Sequence, residues 1–105
     1  MIELNKENFE EVVLNSKDPI LVDFWSPTCT SCMALMPHVE ELEKIYGDKL
    51  KFASLDTSGA RRLAISQKVM GLPVIAIYKD GKNIESLVSH DATTSAVEVL
   101  VKKYA

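Results

Sequence analysis

The sequence predicts an α/β fold with a mixed sheet and helices on both faces. Three observations predict it. Near-continuous apolar runs recur at residues 20–25, 50–56 and 74–78, as expected of strands covered on both sides. Segments with one apolar helical face stand between those runs, so the chain crosses over from strand to strand. After the third run, Asp80-Gly81 is a strong hairpin signal, and residues 83–89 return antiparallel.

Met1 to Leu4 is expected as a short edge strand. Residues 6–15 set Phe9, Val12 and Val13 on one helical face, with Asn5 as its N-cap. Asp18-Pro19 stops that helix. The strand 20–25, ILVDFW, leads through PTCTSC into a helix from about Cys29 to Tyr46, striped by Leu35, Val39, Leu42 and Tyr46. Pro37 predicts a kink there, because proline removes one backbone hydrogen bond and crowds the preceding turn. Gly47 ends the helix. Ser58 is placed to cap a short helix to about Lys68, with Leu63 and Ala64 inward. The last helix spans about Thr94 to Tyr104, with Val97, Leu100, Val101 and Tyr104 on one face and Ser95 and Glu98 at capping-box spacing. The order is β-α-β-α-β-α-β-β-α in a single domain, 1–105.

Composition narrows the function classes. A chain of 105 residues buries roughly 60–70% of its unfolded surface and needs no metal or cross-link to hold a core. Apolar residues make up 47% of it. A net charge of −3 argues against nucleic acid or anionic lipid as the main partner. The opening MIELNKENFEE lacks the apolar core of a secretion signal, and no apolar run approaches the ~20 residues that span a bilayer. A cytoplasmic location is therefore expected.

Both cysteines fall in FWSPTCTSCMALMP, residues 24–37, three positions apart. Three roles compete: a structural staple, half of a metal site, or a disulfide made and broken as the protein works. Stable disulfides are rare in the cytosol, and so small a loop gives little entropic stabilisation. A structural metal site needs four ligands, commonly a second cysteine pair or two histidines. There is no second pair; His38 lies about two helical turns on and His90 is distant in sequence. A metal or cluster shared between two copies is the remaining metal option. For redox work the placement is apt. Cys29 stands at the first turn of a helix, where free N–H groups and the positive dipole end favour a thiolate over a thiol of reference pKa about 8.5. Cys32 lies one turn on, on the same face. Cys29 can attack a disulfide in another protein, and Cys32 can then attack Cys29 and release the reduced partner.

With VDFW at 22–25, CxxC at 29–32, Pro37, GLP at 71–73 and YKDG at 78–81, the chain resembles the thioredoxin family over essentially its whole length. The resemblance implies the thioredoxin fold, a central mixed β-sheet flanked by helices on both faces. It implies Cys29 as nucleophile, Cys32 as resolving thiol, and Asp23 as the buried acid that takes a proton when Cys32 ionises, a task suited to a carboxylate whose pKa burial raises. Trp25 would shelter the disulfide. Pro73 would be the family's cis-proline facing the cysteines. Leu72, after Gly71, would pair its backbone with an incoming peptide as an added strand does.

The chain also departs from the family pattern. Thr28 replaces the tryptophan that usually precedes the first cysteine, leaving a smaller, more polar docking surface. Thr30 and Ser31 replace Gly-Pro, and each is expected to bring a donor to the Cys29 sulfur, stabilising the reduced form and making a weaker reductant. Ser54 stands where a lysine often neighbours the buried acid, and Ser89, beside His90, where a glycine borders the substrate groove. Met33 and Met36 read as helix packing or as a soft binding rim; Arg61-Arg62 and Lys102-Lys103 read as solvated faces.

The expected function is thiol–disulfide oxidoreductase, reducing protein disulfides through a reversible Cys29–Cys32 bridge. The alternative is a thioredoxin-fold protein-binding module with non-catalytic cysteines. An oxidase or isomerase in an exported compartment is disfavoured by the missing signal. No nucleotide-binding or flavin fingerprint is present, so no cofactor is expected and electrons must come from an external, thioredoxin-reductase-like donor. The expected partners are disulfide-containing proteins, with no nucleic acid and no membrane, met by a monomer.

Overall fold

A computed structural model describes residues 1–105. The strands are β1 (Ile2–Leu4), β2 (Ile20–Trp25), β3 (Lys51–Asp56), β4 (Val74–Lys79) and β5 (Lys82–Val88); the helices are α1 (Thr30–Tyr46), α2 (Arg61–Ser66) and α3 (Thr94–Tyr104). The strands form one sheet in the order β1-β3-β2-β4-β5. β1 and β2 run parallel to β3, while β4 runs antiparallel to both β2 and β5. β1 is an edge strand, as its length and position in the sequence suggest, and β2 is central.

Centrality explains the ILVDFW run. Ile20, Val22 and Phe24 point to one face and pack with Phe9, Val13 and Tyr78. Leu21 points to the other, into the core that Leu35, Val39 and Leu42 of α1 share with Val97, Leu100 and Val101 of α3. A strand between two cores has no polar face to spare. Burying each large side chain contributes roughly 1.5–3 kcal/mol. Tyr78 keeps its hydroxyl satisfied inside the core by donating to Gln67 Oε1 at 2.8 Å, which ties β4 to the end of α2. No helix is long and apolar enough to cross a membrane.

Several expected boundaries shift, each for a local reason. The helix expected over 6–15 is continuous only over Glu10–Leu14, where Asn15 N–H reaches back five residues to Glu10 O at 3.0 Å. Residues 5–8 instead form a turn held by reciprocal bonds: Asn5 Oδ1 accepts from Glu7 and Asn8, and Asn8 Oδ1 accepts from Asn5. Leu50 precedes β3 because its N–H is bonded to Tyr46 O, closing the turn after α1. Asp56, not Ser58, caps the next helical turn, Thr57–Gly59, and α2 starts only after Ala60 breaks the run. Thr93, not Ser95, caps α3, its hydroxyl accepting from Ala96 N–H at 3.1 Å. Gly47 ends α1 with a right-handed φ of −63°; the position excludes a side chain because a β-carbon would lie 2.5 Å from Glu43 O. Asp80 and Gly81 make the two-residue hairpin turn, both at positive φ, as a type I′ turn requires. α1 runs through Pro37 as one span.

Candidate active site

The site forms where β2 runs into α1. Trp25 ends the strand, and Ser26-Pro27-Thr28 turns the chain, with the Ser26 and Thr28 hydroxyls 3.0 Å apart. Cys29 N–H donates to Ser26 O at 3.1 Å. Cys29 itself is extended (φ −91°, ψ 105°) and occupies the N-cap of α1, a position that favours side-chain acceptors such as serine or aspartate. Its sulfur fills that role, accepting Cys32 N–H at 3.2 Å. The two cysteines are joined as a disulfide, with Cα atoms 5.2 Å apart. They are not equivalent: Cys29 is half-buried at the surface, and Cys32 is 1% exposed.

Asp23 lies on the face of β2 that α1 covers and is 1% exposed. Neither carboxylate oxygen has a hydrogen-bond partner. Burial pushes its pKa up to about 7. Its registered neighbours are Ser54 on β3 and Ile75 on β4, so neither adjacent strand supplies a cation directly opposite it. Trp25 is half-buried, with an indole N–H that is enclosed and unpartnered. It borders a cavity of about 470 Å³ with Met33 and Met36.

About forty residues on, a second loop reaches the edge of the site at Leu72. The Leu72–Pro73 peptide bond is cis. Pro73 O accepts Ser89 N–H at 2.7 Å, and Ser89 holds φ at +55°, the left-handed region where glycine is at ease. Gly71 sits against Ser89: a β-carbon there would be 3.9 Å from Ser89 Cβ. Leu72 and Thr28 line one cavity of about 520 Å³. Ser31 Oγ lies 3.5 Å from Cys29 Sγ. Thr30 makes no bond to that sulfur, contrary to the expectation of two donors. Consecutive helical side chains diverge by about 100°, so only one of the pair turns back to the cap. Sequence reasoning misses Ser26, whose hydroxyl accepts Thr28 N–H at 3.3 Å, and Thr57, which donates to Trp25 O at 3.1 Å. A hydroxyl two residues before Thr28 in a strand-to-helix loop was the available signal for Ser26; Thr57 had none.

The chain matches the family model described as Thioredoxin over residues 1–103. The chain belongs to the thioredoxin family. It is 56% identical to a thioredoxin of Acetoanaerobium sticklandii over 99% of both chains. It is 43% identical to a thioredoxin of Peptoclostridium acidaminophilum, covering 99% of this chain and 94% of that one. A solved structure titled for the thiol resolving mechanism in yeast mitochondrial 1-Cys peroxiredoxin via glutathione/thioredoxin systems superposes with a TM-score of 0.85, covering 98% of this chain and 94% of that one at 24% identity, which shows the shared thioredoxin fold. Like its thioredoxin relatives, the chain is a thiol–disulfide oxidoreductase working through its cysteine pair.

Proposed function

We propose that this thioredoxin acts as a protein-disulfide reductase with Cys29 as the attacking sulfur. The Cys29 thiolate bonds to one sulfur of a substrate disulfide; the other substrate sulfur leaves with the electron pair and takes up a proton. Cys32, deprotonated, then attacks Cys29 Sγ, and the second substrate sulfur leaves and is protonated in turn. Two thiols of the enzyme become one disulfide while one substrate disulfide becomes two thiols. Asp23 accepts the Cys32 proton, a role that a carboxyl group titrating near 7 can fill at neutral pH. Gly71, Leu72, Pro73 and Ser89 border the docked segment, Leu72 offering its backbone and Thr28 a small polar rim. Trp25 shields the bridge from its flank. A thioredoxin-reductase-like protein restores the dithiol. The chain works as a cytoplasmic monomer whose partners are proteins.

The observation that carries this reading is the inequality of the two sulfurs, one at the surface in a cap position and one shielded. Reduction of insulin driven by dithiothreitol tests it. Catalysis by the native chain that disappears in Cys29→Ser, together with a trapped mixed disulfide in Cys32→Ser, is the expected result. No acceleration beyond dithiothreitol alone would reduce the chain to a binding module.

A further inference from the structure

The cavity that Thr28 and Leu72 share holds side chains that the fold does not account for. Ile65 and Met70 line it and are among the most exposed large apolar residues of the chain, at 62% and 82%. Apolar area left in water at a site's edge is area available to a partner. Arg61 is the cavity's only charged residue. It is exposed and makes no ion pair. It also stands in the first turn of α2, where a cation opposes the helix dipole, so neither packing nor helix stability explains it. The charge is local: the cavity beside Trp25 carries Glu3, Glu40 and Asp56.

We propose that the cavity sets substrate preference, taking a protein segment that presents an apolar side chain and a carboxylate next to the cysteine under attack. The apolar side chain covers Ile65 and Met70, and the carboxylate pairs with Arg61. This rests on the reading that Cys29 attacks protein disulfides, and it names the class of segment that reaches it. Complementarity of this kind acts mainly on encounter and selection and fades with salt.

The test uses the full reduced chain and synthetic cysteine peptides, each in mixed disulfide with 2-mercaptoethanol. The peptides match in length and pair leucine or alanine with glutamate, glutamine or lysine beside the cysteine. Bis(2-hydroxyethyl) disulfide is the reference without side chains, and every rate is expressed relative to it for the same variant. At low salt, kcat/KM for the glutamate peptide should exceed that for the lysine peptide roughly five-fold, through KM. The gap should close in Arg61→Gln and reverse in Arg61→Glu, and Met70→Gln should remove the advantage of leucine over alanine. Equal rates for the two charged peptides, or a glutamate preference that survives Arg61→Gln, overturns the inference. Reduction of the reference without charge discrimination sinks this inference alone. A chain that leaves even the reference disulfide intact brings down the reductase reading and this one with it.

Discussion

The sulfur of Cys29 accepts the backbone N–H of Cys32, so the two residues that share the disulfide also share the cap of α1. When the bridge opens, that N–H and its first-turn neighbours face the charge released on Cys29. Cys32 has no comparable access. At pH 7 the reduced chain should be alkylated by iodoacetamide at Cys29 roughly ten times faster than at Cys32, read by peptide mass. Equal rates at the two positions would contradict the assignment of roles.

Asp23 carries a pH signature opposite to that of most carboxylates. Its pKa rises from 3.8 to about 7 because burial disfavours the charged form. Between those values the native chain holds a proton that the unfolded chain has lost, so the contribution to stability falls as pH rises from about 4 to about 7 and stays low above. The full effect is on the order of 4 kcal/mol. Asp23→Asn should therefore stabilise the oxidised chain by a few kcal/mol at pH 8 and change little at pH 4, as urea melts at the two pH values will show.

Ser31 is the hydroxyl placed to stabilise reduced Cys29. A hydrogen bond to a charged sulfur is worth roughly 1.5–3 kcal/mol, or about 30–60 mV for a two-electron couple. Ser31→Ala should lower the redox potential by up to that amount, and Thr30→Ala should shift it little, in titrations against dithiothreitol. The native chain should also lie above the Thr30→Gly/Ser31→Pro double variant; an equal or lower native potential rejects the role.

Ser89 sits at φ +55° without glycine's freedom. The left-handed conformation costs an L-residue roughly 1–2 kcal/mol, partly offset by the greater unfolded-state entropy that glycine would bring. Ser89→Gly should stabilise the chain by up to about 1 kcal/mol, and the β-branched Ser89→Val should destabilise it, both measured by thermal unfolding.

The order of elements is legible because strand and helix periods are local properties, and ILVDFW, short and rich in strand formers, carries the signature of a strand buried on both faces. Caps are less legible. Thr93 and Asp56 cap their helices because the backbone is extended there, a choice that residue type alone does not make. Ser58 and Ser95 carry the right chemistry two residues too late. At the site, the nearness of Cys29 and Cys32 follows from spacing alone. The approach of Leu72 to Thr28 does not, since a crossover brings it; only the family resemblance points to that loop. Arg61, read from sequence as part of a solvated face, gains meaning only from the cavity it borders.

The near-complete enclosure of Cys32 has a consequence for turnover. A closed bridge offers one sulfur to newcomers, so the protein that delivers electrons must enter where the protein that receives them has just left. The two cannot be served together. Steady-state rates should trace the parallel lines of a ping-pong scheme, and a surplus of either partner should crowd out the other.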